Sequence, residues 1–393
     1  MKLGELLGAF QKELYLPDTA PIEVAIATYV ANLLPGDPVW TMLVGPPSSG
    51  KTEILNTLSD LPHIYAVSTI TIAGLLSGST SKDENATGGL LAEIAACEGS
   101  SPGVIICKDF TSILSEGPDS CRAVLAALRE VFDGSYVRHF GNLGGRKILW
   151  DGKVGVLAAV TEIIDNFGEA MGTMGQRFLF FRMPALTDEG RQHQAYRALA
   201  NAGRQNTMRR TLVKDVATYV AGLTIPNKVI PLSDTDQERL VNLADLATRC
   251  RSSVERQGYN REIAWVPEPE APARFQAQLV QLRRAFQIMG VGDQRAFALL
   301  TSLALDAMAK DRRAIVEFLV TESPNVRRDT SSIGDEIGLP FGTTMRALED
   351  LWTHGILDRH GFGTTTWQAS DWLRGRWKIA QEANEALNVT GHS

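Results

Sequence analysis

Residues 39–52 read VWTMLVGPPSSGKT, and this stretch decides the fold class. The run 39–44 is apolar enough to be a buried strand. It ends in Gly45-Pro46-Pro47-Ser48-Ser49-Gly50-Lys51-Thr52, a complete GxxxxGK[ST] match, and a helix is expected to open at Lys51. The order suits a phosphate cradle. The glycines let backbone N–H groups turn inward toward phosphate oxygens, and a helix N-terminus adds partial positive charge. Lys51 is placed to reach β- and γ-phosphates, and the Thr52 hydroxyl to ligate Mg²⁺. With Glu53 included, residues 45–53 form the candidate binding segment for ATP and Mg²⁺.

Three more apolar runs lie at 103–107, 154–160 and 178–181, with amphipathic helical segments such as 121–132 between them. Buried strands alternating with helices predict an α/β parallel sheet flanked by helices. Before it, Leu3, Leu6, Leu7 and Phe10, then Ile22, Val24, Ile26, Tyr29 and Val30, fall at helical spacing and predict two helices within 1–36. Leu16-Pro17-Asp18 separates them, and residues 35–38 form a turn. From about Pro184 the pattern turns helical, and strand-like runs are absent from 184–223 and 234–308. The last unit reads as a winged helix. It has a helix at 312–320, a helix-turn-helix at 331–337 and 343–354 around Gly338-Leu339-Pro340, and two strands at 356–359 and 364–368. Leu348, Leu351, Trp352 and Ile356 are expected to fill its core. The expected domains are an N-terminal helical segment (1–36), an α/β core (37–185), a helical lid (186–309), the winged helix (310–375) and a tail (376–393).

Composition narrows the class. The chain has 393 residues, 44% hydrophobic and 21% charged, and a net charge of −6. It can bury a sizeable core, and a uniformly basic nucleic-acid coat is excluded, though a local basic channel is not. Cys97, Cys107, Cys121 and Cys250 form no CxxC, so neither a zinc ribbon nor a disulfide framework is expected, in keeping with a reducing cytoplasm. No signal peptide or membrane span is expected. The six histidines form no ligand pair, and the glycines of 168–175 lack the context of a dinucleotide loop.

A phosphate loop needs an acid at the end of a second buried strand. Val104-Ile105-Ile106-Cys107-Lys108-Asp109 is the candidate. Lys108 stands where the usual pattern has Asp, and Asp109 where it has Glu; in the alternative register Phe110 replaces Glu. Asp109 is thus either the Mg²⁺ ligand or the residue that polarises the attacking water.

After Asp109 the segments 136–140 and 146–150 predict a β-hairpin around Gly141-Asn142-Leu143-Gly144-Gly145. The strand 154–160 ends at Thr161, and Gly175-Gln176-Arg177-Phe178 leads into the next. This layout resembles the AAA+ ATPases, most closely the minichromosome maintenance (MCM) helicases and MCM-like replication ATPases of phages and mobile elements. The strings GPPSSGKTE, KDFTSILS, LREVFDGSYVRHFG and EAPARF are similar to those of a phage and bacterial ATPase family. The resemblance covers about residues 1–310. It implies sensor 1 at Thr161, where the MCM pattern has Asn. It also implies an arginine finger at Arg177 reaching a neighbour's site, with Arg182 as second candidate, and sensor 2 at Arg274. A finger acting in trans implies a homo-oligomer, a hexameric ring in MCM-like enzymes.

Within such a ring the hairpin would face the pore. Arg138, Arg146 and Lys147 are its candidate contacts to the phosphates of single-stranded or forked DNA. The Gly-, Ser- and Thr-rich segment 68–99 could face the pore or a protein partner. The second helix of the winged helix could dock DNA, but it sets Arg346 against Glu349 and Asp350, so a protein contact is equally open. The leading expectation is an ATP-hydrolysing ring helicase of phage or mobile-element replication, cytoplasmic and without a membrane. A large N-terminal DNA-binding domain of the MCM kind is not seen ahead of the loop. That keeps open a helicase loader or initiator acting on other replication proteins, and a nucleotide-gated scaffold with little turnover.

Overall fold

The apolar runs become strands because each is buried along its whole length. The computed structural model describes residues 1–77, 89–96, 102–140, 146–167, 177–258, 261–361 and 365–388. These fall into two units. The first comprises Met1–Ile164, Phe180–Ile230 and Arg284–Val291; the second comprises Asp165–Leu179, Pro231–Arg283 and Gly292–Ser393.

The strands of the first part of the chain are β1 (Trp40–Val44), β2 (Ile64–Val67), β3 (Gly103–Cys107), β4 (Ser135–Phe140), β5 (Arg146–Asp151), β6 (Val154–Val160) and β7 (Phe178–Arg182). Five form one sheet in the order β2-β3-β6-β1-β7. β2 with β3, β3 with β6 and β6 with β1 are parallel. The protein is therefore mixed α/β. Every residue of β1, β3 and β6 is buried, which explains their continuous apolar sequence. Ile64–Val67 is a strand that the apolar pattern does not predict. It lies at the sheet edge and is only partly buried, so it carries no long apolar run.

The helix Ala20–Leu33 is buried at all but its last residue, more deeply than an amphipathic pattern would require. Its Asn32 holds the chain at the entry to β1. The Asn32 amide nitrogen donates to the carbonyls of Thr28 and Val39, both at 2.8 Å, and its oxygen accepts from the Val39 N–H at 3.0 Å. Truncating this fully buried amide would leave those backbone groups unmatched, at about 1–3 kcal/mol for each. Gly155 makes room for it, since a Cβ there would lie 2.3 Å from the Asn32 amide group. Trp40 Nε1 donates to the Val154 carbonyl at 2.8 Å, pinning β1 against β6, and its ring meets Phe132 edge-on at 5.2 Å. Strand register is thereby set at the end of the sheet opposite the loop.

β4 and β5 pair separately as an antiparallel hairpin, from Ser135 opposite Asp151 to Phe140 opposite Arg146. The expected glycine tip, 141–145, lies outside the described residues. So do 78–88 and 97–101, most of them in the segment 68–99, which contains short helices at Ile72–Leu75 and Leu90–Ala96.

In the second unit the helical expectation needs one correction. Glu255–Arg256 and Ile263–Trp265 form a small antiparallel ladder within the stretch expected to lack strands. Further on, helices Lys310–Thr321, Thr330–Ile337 and Phe341–Thr353 accompany a three-stranded antiparallel sheet, with Thr366–Ala369 between Arg328–Asp329 and Leu357–His360. Leu348, Leu351 and Ile356 are fully buried, together with Trp367. Trp352, expected in this core, is instead 39% exposed, with the Arg359 guanidinium 5.2 Å from its ring centre. One turn of helix cannot direct both Leu351 and Trp352 to the same side. The final helix, Asp371–Asn388, runs without a break across the boundary expected at 375/376.

Candidate functional site

The loop 45–50 leaves β1 with two constraints on its backbone. Gly45 N–H donates to the Val160 carbonyl at 3.2 Å, so the loop starts against the end of β6. A Cβ on Gly45 would lie 2.9 Å from Met183, whose N–H donates in turn to the Val44 carbonyl at 2.7 Å. Gly50 has φ +91°, a left-handed conformation that favours glycine, and Ser48 also sits at positive φ, 64°. From Gly50 the helix Lys51–Asn56 begins, and the Ile54 N–H donates to the Gly50 carbonyl at 3.0 Å.

Lys51 is only 7% exposed. Its ammonium folds back beneath the loop and donates to the carbonyls of Gly45 and Pro46, both at 2.7 Å, and to Ser49 Oγ at 3.1 Å. Burial pulls its pKa below the ordinary lysine value, while the carboxylates of Asp109 and then Glu162 push it back up. The loop amides, the lysine, the exposed Thr52 and the exposed Asp109 thus belong to one end of the sheet. Hydroxyl and carboxylate oxygens are hard donors of the kind Mg²⁺ takes, so Thr52 and Asp109 fit as its ligands.

Glu53 lies in the first turn of the helix Lys51–Asn56. It is held bidentate by Arg209 of the helix Gln205–Ala221, with Nε to Oε2 at 2.9 Å and Nη2 to Oε1 at 2.5 Å. Gln194 Nε2 donates to the Ser48 carbonyl at 3.2 Å, so a second helix also braces the loop. Neither partner is detectable in the sequence, because each stands more than a hundred residues away.

Asp109 follows β3. Its Oδ1 accepts from the Thr111 N–H at 3.0 Å, where the short helix Thr111–Leu114 begins. Thr111 is a site residue that no motif marks. Its hydroxyl accepts from the Thr161 N–H at 3.1 Å and lies 3.4 Å from Thr161 Oγ1, tying the ends of β3 and β6 together. The next residue after Thr161, Glu162, begins a short 3-10 turn to Phe167 and is exposed. It too belongs to no motif, so sequence reasoning passes over it.

The other expected residues are distributed as follows. Arg177 is 8% exposed, and its carbonyl accepts from Gln278 Nε2 at 3.0 Å. Arg182 is half-buried at the end of β7. Arg274 begins the helix Ala273–Ile288 and stands 3.7 Å from Glu270. In the hairpin, Arg138 turns back to donate to the carbonyls of Ile72 at 3.0 Å and Leu76 at 2.6 Å. Lys147 is exposed, and the backbone of Arg146 opens β5 opposite Phe140. On the helix Phe341–Thr353, the two acids that oppose phosphate binding are both neutralised. Arg256 pairs with Glu349 at 3.0 Å and Asp350 at 2.6 Å, and Arg312 with Asp350 at 2.8 Å. Arg346 and Arg359 remain exposed there. Among the described residues no group of His, Cys, Asp and Glu could by itself cage a metal, and no helix is long and apolar enough to cross a membrane.

No protein-family model matches the sequence, and no curated protein matches it. Among solved structures, the Orc1 protein of Aeropyrum pernix, determined in complex with DNA, is similar with a TM-score of 0.26 and 13% identity, over 96% of this chain and 98% of that one.

Proposed function

We propose that this chain is an AAA+ ATPase that binds Mg²⁺ and ATP through residues 45–53 and acts on DNA in replication, as a ring-forming, MCM-like motor. The observation that carries the nucleotide part is the buried Lys51 ammonium, which rests on two loop carbonyls and a hydroxyl beside the ends of β3 and β6. Carbonyls are weaker acceptors for a cation than phosphate oxygens, so a triphosphate would draw the lysine out of this resting arrangement. Thr52 and Asp109 would hold Mg²⁺, and Thr161 would act as sensor 1.

Arg177 would serve as the finger and Arg274 as sensor 2, each from the resemblance alone. For Arg177 to act in trans its buried guanidinium must turn outward on assembly, and Arg182 is the alternative. The expected assembly is a hexamer.

A second reading, a loader or initiator that remodels a protein partner, is favoured by Arg138. One of the three hairpin cations is held by backbone carbonyls of the same unit, which leaves Arg146 and Lys147 for nucleic acid.

Steady-state hydrolysis with and without single-stranded DNA, together with strand displacement, separates the readings. Stimulation by DNA plus unwinding supports the motor; stimulation only by a protein partner supports the loader. Lys51→Ala is expected to abolish nucleotide binding, and a variant that binds normally would overturn the site. Arg177→Ala is expected to bind ATP yet not hydrolyse it; normal hydrolysis would remove the finger assignment.

A further inference from the structure

An ATPase site of this layout needs two carboxylate functions, one near Mg²⁺ and one to take a proton from the attacking water. The strand that should provide both has only one acid. Lys108 precedes Asp109, and Phe110, which follows it, is fully buried with its N–H donating to the Ala159 carbonyl at 2.8 Å. Neither register of β3 supplies a second carboxylate.

The neighbouring strand does. In the sheet β6 lies between β1 and β3, so its end falls between the loop and Asp109. Two bonds fix that placement. The Gly45 N–H donates to the carbonyl of Val160, and the Thr161 N–H donates to the Thr111 hydroxyl. The residue directly beyond these anchors is Glu162, which is exposed. Its charge reaches the Lys51 ammonium, as does that of Asp109. Asp109 is meanwhile held through one oxygen, since its Oδ1 accepts from the Thr111 N–H at 3.0 Å. A carboxylate held through one oxygen has a restricted orientation, which suits a metal ligand. A carboxylate at the adjacent strand end would supply the second acid beside the loop lysine.

Resting on the nucleotide reading above, we infer that the two functions are divided between strands, with Asp109 serving Mg²⁺ and Glu162 acting as the general base of hydrolysis. In the step, the oxygen of water forms a bond to the γ-phosphorus as the bond to the β,γ-bridging oxygen breaks. ADP leaves with that electron pair, and the water's proton passes to a Glu162 carboxylate oxygen and from there to solvent. The sequence alone leaves Asp109 between the two roles; the neighbouring strand resolves the choice.

The test compares wild type, Glu162→Gln and Asp109→Asn by three measurements: affinity for a fluorescent ATP analogue at varied Mg²⁺, the rate of phosphate release, and thermal stability with and without nucleotide. Glu162→Gln keeps the shape and removes the base. It is expected to lower phosphate release by at least about 100-fold. Affinity should stay within about twofold of wild type, with nucleotide-induced stabilisation retained. Asp109→Asn should instead raise the Mg²⁺ concentration needed for binding. Phosphate release by Glu162→Gln at the wild-type rate would overturn the assignment while leaving the nucleotide site standing. So would wild-type protein that binds ATP without turnover, or a loss of Mg²⁺-dependent affinity in Glu162→Gln. Failure of the wild type to bind any nucleotide would instead overturn the ATPase reading itself.

Discussion

The Thr161 N–H donates to the Thr111 hydroxyl at 3.1 Å, joining the ends of two parallel strands fifty residues apart in sequence. The bond matters because each partner sits next to an acid of the site: Asp109 two residues before Thr111, and Glu162 directly after Thr161. Beyond the β3–β6 ladder and the Phe110 N–H to Ala159 carbonyl bond, this hydroxyl is a further tie between the two strand ends.

Thr111→Val keeps the side-chain shape and removes that acceptor. The Thr161 amide loses its partner, at about 1 kcal/mol. Urea unfolding is expected to report a loss of that size, and phosphate release to fall while nucleotide affinity holds. Unchanged hydrolysis would mean that the strand ends keep their spacing without this bond.

Gly50→Ala tests the loop backbone. The site has open space for a Cβ, so only the conformation at φ +91° is at issue. A left-handed alanine costs about 1–2 kcal/mol. The expected result is a loss of that order in stability, together with weakened nucleotide binding, because relief of the strain would move the amides. Binding and stability both unchanged would show that the cradle tolerates a different loop path.

Arg209 and Glu53 connect the helix after the loop to the helix Gln205–Ala221. Both side chains are partly exposed, so screening limits the pair to about 0.2–1 kcal/mol. A double-mutant cycle with Arg209→Ala and Glu53→Ala is expected to give a coupling in that range, shrinking at high salt. A coupling that ignored salt would point to packing rather than charge.

Replacing Arg146 and Lys147 together by Ala should weaken binding of single-stranded DNA. The salt slope of its affinity should fall by about 0.7 for each phosphate that is no longer neutralised. An unaltered slope, measured by fluorescence anisotropy across salt, would remove the hairpin as a nucleic-acid contact.

Lys153 supplies a prediction about pH. Burial lowers its pKa from the ordinary 10.5 to about 8, against the opposing pull of Asp37, and its ammonium donates to the Leu34 carbonyl at 2.6 Å. Between those two values the unfolded chain binds more protons than the folded one, so stability attributable to this group rises with pH. Below about pH 8 both states are protonated, and the folded state bears the full cost of the buried charge. Wild type should therefore gain on Lys153→Met by on the order of 2 kcal/mol between pH 7 and 9.5, as read from urea unfolding at both values. A constant difference across that range would show that the lysine stays charged.

The phosphate loop is legible because all of its determinants are local: an apolar strand, glycines where the backbone turns, and a lysine at the helix start, within fourteen consecutive residues of sequence. β3 and β6 are legible for the same reason, since a strand buried on both faces shows as an unbroken apolar run. β2 is not, because an edge strand of four residues, none of them buried, has no such signature. Trp352 misleads because its apolar character is local, whereas the direction of its side chain follows from how the helix Phe341–Thr353 sits on its sheet.

The glycine loop and the parallel α/β class are encoded locally, since steric limits on the backbone and the burial of apolar strands act over a few neighbouring residues. Which charged groups stand around that loop follows from the packing of distant segments. Sheet order places β6 between β1 and β3, which brings Thr161 onto Thr111 and the charges of Asp109 and Glu162 to bear on Lys51. Helix packing then sets Arg209 on Glu53 and Arg138 on the carbonyls of residues 72 and 76. Electrostatic and hydrogen-bonding partners are chosen by distance in space, which no motif of adjacent residues encodes.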